Sequence, residues 1–385
     1  MKLVDKEKIK KSFLKICFKP LTLLNIIKKK DERLIFFYSN LGFRDNVRAF
    51  YNYLIEQGYN EKYHFVVSIN DYEKYRFNAP KHVKFVSNKE GIKYFMKSKY
   101  AFYCFGKYPI KPAKTQMVVN LWHGTPLKRI GNLEQGCEQI DYHFFTKVVA
   151  SSPMYQPIMA DIFGCEEEDV DVLGNPRNDE MFKKNNILDT AIKRGSSRLV
   201  VWLPTYREYK NDMFVPLLND SDLDELNGFL KLKNWRMIIK LHPLQEATLR
   251  DMKYSHIDIY NEKQLVENDM SVYTILRNAD ALLTDYSSVM FDYLMLDRPI
   301  GFITEDFDEY KNNRGFIFKN PEEFMPGPKL TSLEKIKNFL SSVDYGIDNY
   351  KEERKTVNSM VNTYVDGRSA KRIAENYIDF NYEED

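Results

Sequence analysis

Two histidines, His123 and His242, stand in short strings whose residue types suit work on a phosphate ester. His123 belongs to Trp122-His123-Gly124-Thr125-Pro126-Leu127-Lys128, directly after an apolar run ending at Leu121. An imidazole on a glycine-containing turn can approach a substrate closely, and its near-neutral pKa suits removal of a proton from an attacking hydroxyl. Lys128 adds positive charge for a phosphate. The plainer alternative is a histidine that caps a helix start. His242 belongs to Lys240-Leu241-His242-Pro243, where proline restricts the preceding residue to extended geometry and so fixes its direction. Such a histidine can donate a hydrogen bond or a proton to a pyrophosphate leaving group, or simply satisfy backbone partners at a strand end.

Three more strings have chemistry of the same kind. Gly174-Asn175-Pro176-Arg177-Asn178-Asp179 combines turn residues with a fixed cation, two amides and a carboxylate. Asn175, Arg177, Asn178 and Asp179 are therefore candidates for a cleft wall, with a structural turn and a domain-stabilising ion pair of Arg177 as the alternatives. Leu203-Pro204-Thr205-Tyr206-Arg207 offers the Thr205 hydroxyl and the Arg207 guanidinium, whose fork matches a phosphate ester unless it is only an exposed arginine. In Leu282-Leu283-Thr284-Asp285-Tyr286-Ser287-Ser288 a strand leads through hydroxyl residues into the helix-like Val289 to Met295. Unpaired amides at such a helix start attract an anion, and Thr284, Asp285, Ser287 and Ser288 surround that place. Plain capping by Asp285 or Ser287 would need no ligand.

All five strings must be carried at strand ends. Apolar runs at Leu34 to Tyr38, Phe65 to Ile69, Val83 to Val86, Tyr100 to Phe105, Gln116 to Trp122, Lys147 to Ser151 and Val170 to Leu173 are separated by helix-sized intervals. The rhythm restarts at Leu199 to Leu203, Arg236 to Leu241, Ile257 to Tyr260, Ala281 to Leu283 and Pro299 to Ile303. Runs of this length predict mostly parallel sheets covered by helices, so the fold class is α/β with two such units. Binding crevices of these sheets open at the carboxyl ends of the strands, where the five strings lie. The chain's 385 residues also exceed the roughly 250 to 300 at which single cores stop growing. The expected division is 1–30 as a basic leader, 31–185 and 198–345 as the two α/β domains, and 346–385 as a helical segment interrupted at Asp366-Gly367.

The leader stands out by charge. Residues 1–30 hold ten Lys against Asp5 and Glu7, a net of +8, within a chain of net +2, so the remainder is mildly acidic. Apolar Leu3, Ile9, Phe13, Ile16, Leu23, Leu24 and Ile27 recur among those lysines at roughly helical intervals, with Pro20 breaking the run. This pattern fits a segment that contacts an anionic membrane surface, or a first helix packed on the body with a solvated lysine face. It does not fit a protein that coats nucleic acid with its whole surface. No spanning run and no signal peptide is present, and Cys17, Cys104, Cys137 and Cys165 lack the spacing of a zinc site or a disulfide framework. A location at the cytoplasmic side with reduced thiols is the expectation. Triphosphate, dinucleotide, nucleophile-elbow and zinc-protease motifs are absent. Asp-x-Asp occurs at Asp169-Val170-Asp171, in Asp220-Ser221-Asp222-Leu223-Asp224 and at Asp306-Phe307-Asp308, places that read as a strand entry and solvated turns or helix starts. Neither a metal nor another cofactor is expected, and cations with a helix dipole would stabilise charge instead.

Taken in order and spacing, Trp122 to Lys128, Gly174 to Asp179, Pro204 to Arg207, Lys240 to Pro243 and Thr284 to Tyr293 resemble the CDP-glycerol glycerophosphotransferases. The similarity runs over about residues 34 to 380 and includes Asp366-Gly367-Arg368-Ser369-Ala370. The resemblance implies two facing Rossmann-like domains of the GT-B type, with the CDP-linked donor held mainly by the carboxyl-terminal one. It implies His123 as base for the acceptor hydroxyl and His242 as partner of the donor pyrophosphate. Ser287 and Ser288 would meet phosphate oxygens, Arg207 and Lys128 the transferred phosphate or acceptor charges, and Thr284 and Asp285 would shape the pocket. The implied reaction is in-line attack on the β-phosphorus of CDP-glycerol, or of CDP-ribitol, by a polyprenyl-diphosphate-linked saccharide, with CMP leaving. One departure is Leu244-Gln245-Glu246, where some relatives carry a basic residue after the His-Pro pair. The chain is nearly a bare catalytic unit, which suggests a primase more than a polymerase. Two other readings share these features: a GT-B glycosyltransferase, which the same architecture supports, and a membrane-surface scaffold.

Overall fold

The computed structural model describes residues 18–184, 192–205, 215–241, 254–261, 264–265 and 270–378. The chain divides into two compact units. One takes the residues up to Gly124, Ile130–Asp179 and those from Thr363 onward; the other takes Thr125–Arg129 and Glu180–Asn362.

The first unit is built on seven parallel strands: β1 (Asp31–Ser39), β2 (His64–Ile69), β3 (Val83–Val86), β4 (Ser98–Phe105), β5 (Met117–Asn120), β6 (Lys147–Ala150) and β7 (Val170–Val172). Their order is β3-β2-β1-β4-β5-β6-β7. The last six residues of β1 are all buried, as expected of a strand covered on both faces. Aromatic rings fill this core: Phe37 lies within 6.3 Å, centroid to centroid, of Phe50, Tyr51, Phe65 and Phe102.

The second unit repeats the plan with β8 (Arg198–Trp202), β9 (Trp235–Lys240), β10 (Ile257–Tyr260), β11 (Ala281–Thr284), β12 (Ile300–Ile303) and β13 (Lys329–Leu330), again all parallel. The order is β10-β9-β8-β11-β12-β13. In both sheets the first strand is central and the fourth lies beside it, so the winding direction changes at β1/β4 and at β8/β11. At such a switch point neighbouring loops diverge and leave a crevice at the carboxyl ends.

Three details differ from the sequence reading. β5 stops at Asn120, short of Trp122, because Trp122 adopts a left-handed φ of 53° that no strand can continue. β13 has two residues, too few for any apolar run to announce. The terminal helical segment is shared: the helix Lys351–Val361 stays with the second unit, whereas Ser369–Tyr377 belongs to the first. The reason is burial, since Ala370, Ile373, Ala374 and Tyr377 join the first core and the Tyr377 hydroxyl donates to Asp171 Oδ2 at 2.6 Å.

Of the leader, residues 1–17 lie outside the described residues, and residues 18–27 are helical. Pro20 does not end this helix. Its polar residues face the body: Asn25 Nδ2 donates to Gln116 Oε1 and to the Lys111 carbonyl, both at 3.0 Å, and Thr22 Oγ1 accepts from the Lys111 amide. Its large apolar residues face out, with Leu23 63%, Leu24 50%, Ile26 55% and Ile27 80% exposed. No helix among the described residues is long and apolar enough to cross a membrane.

Asp179 links the chain's return to its first core, because its carboxylate accepts from the amides of Ser369 at 2.9 Å and Ala370 at 2.8 Å. Asp179→Ala is expected to destabilise the first unit by about 1 kcal/mol, the usual value of a lost helix cap. Urea unfolding followed by hydrogen exchange of the first unit's amides checks this; an unchanged midpoint would show that the cap contributes nothing.

Candidate active site

In the first unit, the turn after β5 presents His123. Asn120 Oδ1 accepts from the Trp122 amide at 3.0 Å, and the left-handed Trp122 is followed by Gly124 at a φ of 120°. The His123 ring stacks on Phe105, the last residue of β4, at 4.7 Å and lies 3.7 Å from the Trp122 ring. Its Nδ1 is 3.4 Å from the Cys104 carbonyl. A carbonyl only accepts, so this contact favours the proton on Nδ1 and makes Nε2 the basic nitrogen.

A left-handed non-glycine residue costs of order 1–3 kcal/mol and persists only where its surroundings hold it. Here Asn46 does so. It is fully buried; Nδ2 donates to the carbonyls of Leu121 and Trp122, each at 3.0 Å, and to Asn175 Oδ1 at 3.4 Å, while Oδ1 accepts from the Arg177 amide at 3.0 Å. Arg177 closes the arrangement: its Nη1 lies 2.9 Å from Asp45 Oδ2 and donates to the His123 carbonyl at 2.7 Å. Asp45 itself has a φ of 57° and opens the helix Asp45–Glu56.

The Gly174 to Asp179 string is thus seated in a clamp. Asn175, Arg177 and Asn178 are buried, and Arg177 is in an ion pair with Asp45. Burial raises Asp179 from 3.8 to about 6, against the two amides that favour its charge. Asp45 and Asn46 escaped the sequence reading. The available signal was their position at the first helix after the central strand of a parallel sheet.

Residues 125–129 continue from the His123 turn but belong to the second unit. Their backbone pairs antiparallel with Gly315 to Ile317, through Ile317 N to Leu127 O at 3.0 Å and an isolated bridge between Lys128 and Phe316. Arg129 Nε also donates to the Phe316 carbonyl at 3.1 Å. Lys128 is half-buried there.

At the β8/β11 switch point of the second unit, Asp285 holds two loops together. It accepts from the Thr205 amide at 2.8 Å and from Thr205 Oγ1 at 2.5 Å, and the Thr284 hydroxyl donates to the Leu203 carbonyl at 3.0 Å. Asp285 therefore braces the strand ends and does not cap the next helix. Ser287 and Ser288 follow, half-buried, directly before the helix Val289–Tyr293. Among the described residues neither hydroxyl has a protein partner, and the Ser288 side chain makes no cap hydrogen bond. β9 reaches Lys240, and the Leu241 amide still bonds the Tyr260 carbonyl. His242 and Arg207 lie outside the described residues.

The Asp-x-Asp strings are placed as read: Asp169 precedes β7, Asp220 and Asp222 open a helix capped by Asn219, and Asp306 accepts from the Tyr286 hydroxyl. Among the described residues no group of three His, Cys, Asp or Glu is arranged to hold a metal.

The profile of the family described as CDP-Glycerol:Poly(glycerophosphate) glycerophosphotransferase matches residues 21–378. The teichoic acid ribitol-phosphate primase of Bacillus spizizenii is 25% identical over 71% of this chain and 72% of its own length. The teichoic acid glycerol-phosphate transferase of Staphylococcus aureus is 26% identical over 90% of this chain and 93% of its own. The teichoic acid poly(glycerol phosphate) polymerase of Bacillus spizizenii is 27% identical over 91% of this chain and likewise 93% of its own. Against two Staphylococcus aureus ribitol-phosphate polymerases, TarK and TarL, the chain spans only about half their length. The solved structure of the wall teichoic acid polymerase TagF matches with a TM-score of 0.79 at 21% identity, covering 100% of this chain and 99% of that one. That likeness concerns the fold.

The clamp and the serine pair differ in what substitution should do. Asn46→Ala is expected to lower the stability of the first unit by about 2 kcal/mol, since it strands buried backbone groups. Ser288→Ala should leave stability unchanged, because among the described residues that hydroxyl bonds nothing. Denaturant midpoints of both variants check this, and equal stability of Asn46→Ala and the parent would remove the clamp.

Proposed function

The chain belongs to the CDP-glycerol:poly(glycerophosphate) glycerophosphotransferase family, and from that premise we propose that it moves glycerol phosphate from CDP-glycerol onto a lipid-linked teichoic acid or related cell-surface polymer precursor. His123 Nε2 takes the proton of the acceptor hydroxyl as its oxygen bonds to the β-phosphorus. The bond from that phosphorus to the oxygen bridging the two phosphates breaks, and CMP leaves. Ser287 and Ser288 donate to phosphate oxygens, His242 supports the leaving phosphate, and Lys128 and Arg207 offset the charge of the transferred group. Thr284, Asp285 and Thr205 keep the serine loop in position. The observation that carries this reading is the pair of serine hydroxyls at the β8/β11 switch point that have no protein partner among the described residues. It fits an anionic donor group there. A TagF variant has been solved after soaking with CDPG, which supports the choice of donor.

We place the enzyme as a primase adding the first unit or units. Length does not decide this, since a transferase and a polymerase both align over 93% of their lengths. Ribitol phosphate is the second reading, favoured by the likeness to a ribitol-phosphate primase.

The acceptor's lipid anchor requires work at a membrane surface, and we assign the enzyme to the cytoplasmic face as a peripheral protein. Supporting this, the helix at residues 18–27, part of a leader of net +8 over residues 1–30, turns Leu23, Leu24, Ile26 and Ile27 outward. Apolar insertion together with attraction to anionic headgroups is how interfacial helices bind.

Two measurements test these assignments. Incubated with a lipid-linked disaccharide, the enzyme is expected to release CMP from CDP-glycerol and add one or a few glycerol phosphates, read by mass spectrometry. Preference for CDP-ribitol, or long products, would replace the donor or the priming role. The double variant Leu24→Ser, Ile27→Ser should lose at least tenfold in binding to phosphatidylglycerol vesicles while keeping activity on a soluble acceptor analogue. Undiminished vesicle binding would contradict the membrane role of this helix.

A further inference from the structure

The second unit contains a cavity of about 410 Å³ that the transfer reaction leaves unused. It lies at the outer edge of the sheet, where β12 and β13 meet the helix Leu333–Asp344 and the turn leading to the helix Lys351–Val361. None of Thr205, Asp285, Ser287 and Ser288 lines it, and β13 is two strands beyond β11 in the sheet.

Its walls differ in chemistry. Ile300, Leu330 and Phe339 form an apolar side. Lys329, Asn338 and Tyr350 supply polar groups. The Lys329 ammonium donates to the Met325 carbonyl at 2.8 Å and lies 4.6 Å from the Phe302 ring centroid. An ammonium has three donors, and among the described residues no carboxylate lies within ion-pair distance of this one. Burial lowers its pKa to about 8, opposed by Glu322 and Glu353, so it still carries its charge at neutral pH. Among the described residues the Asn338 amide and the Tyr350 hydroxyl have no side-chain hydrogen bond. Arg354, also in the wall, is by contrast engaged by Asp348 at 2.7 and 2.5 Å and by Asp297 at 3.2 Å. A half-desolvated cation with no carboxylate in ion-pair contact among the described residues, uncommitted donors and an apolar surface converge on a volume typical of small-molecule sites.

We propose that this cavity is a binding site for a small amphipathic anion, a single phosphate-like or sulfonate head on an apolar body, separate from the donor site. The head pairs with Lys329 and accepts from Asn338 and Tyr350, while the body lies on Ile300, Leu330 and Phe339. A charge-assisted hydrogen bond is the strong part of such recognition, and the apolar wall separates this ligand from a bare ion.

The test uses 8-anilinonaphthalene-1-sulfonate titrated into the full chain at pH 7, with fluorescence as readout. The expected result is saturable binding that weakens at least tenfold in Lys329→Met and also in Asn338→Asp, an exposed position whose new carboxylate repels the head without disturbing the core. Decyl phosphate should displace the probe, whereas inorganic phosphate at equal concentration should not. Leu24→Ser, on the exposed helix, should leave this binding unchanged. Unaltered affinity in Asn338→Asp and in a folded Lys329→Met would overturn the site, as would equal displacement by inorganic phosphate or loss of binding in Leu24→Ser.

Discussion

The side chain of Asn46 holds the one strained turn on which the proposed chemistry depends. A left-handed Trp122 lets the chain leave β5 abruptly and present His123 against Phe105, and such a residue would relax if its carbonyl and that of Leu121 lost their donor. Asn46 can do this because it lies in the first turn of the helix after the central strand, so its amide reaches the turn beyond β5 on one side and the Arg177 backbone on the other. Arg177 then returns to Asp45 and to the His123 carbonyl. Every member of the set is neutral or paired, which is what allows so many polar groups to be buried together.

The second unit solves a similar problem with a carboxylate. Asp285 fastens the Thr205 loop to β11, and among the described residues the Ser287 and Ser288 hydroxyls are left uncommitted. Both solutions follow from one topology used twice, with the first strand central and the fourth beside it, since this places the polar turns of each sheet at its carboxyl edge. The short stretch Thr125–Arg129 carries the chain from the first unit into the second straight after His123.

Much of the scaffold was legible because buried parallel strands are written as uninterrupted apolar runs; β2, β3 and β10 coincide with runs in the sequence to within a residue. The end of β5 was hidden, since Leu121 and Trp122 are apolar and only a backbone angle removes them from the strand. β13 was too short to carry a pattern. The outward apolar face of residues 18–27 was half visible: the spacing marked Leu23, Leu24 and Ile27, but that Thr22 and Asn25 are the inward face depends on partners about ninety residues away. Among the candidate residues, the serine pair could be read from a strand, a turn and a helix in succession. The clamp could not, because Asn46, Asn175 and Arg177 become neighbours only through the sheet.

In the proposed function, His123 acts on the acceptor hydroxyl while the second unit holds the CDP-linked donor. Calorimetric titration of His123→Ala with CDP-glycerol, paired with its CMP-release rate on a lipid-linked acceptor, tests it most directly. The expected result is donor affinity close to that of the parent and a rate reduced by about 10²–10⁴, the range for loss of a general base. An undiminished rate would contradict the role of His123, and loss of donor binding would contradict that separation of roles.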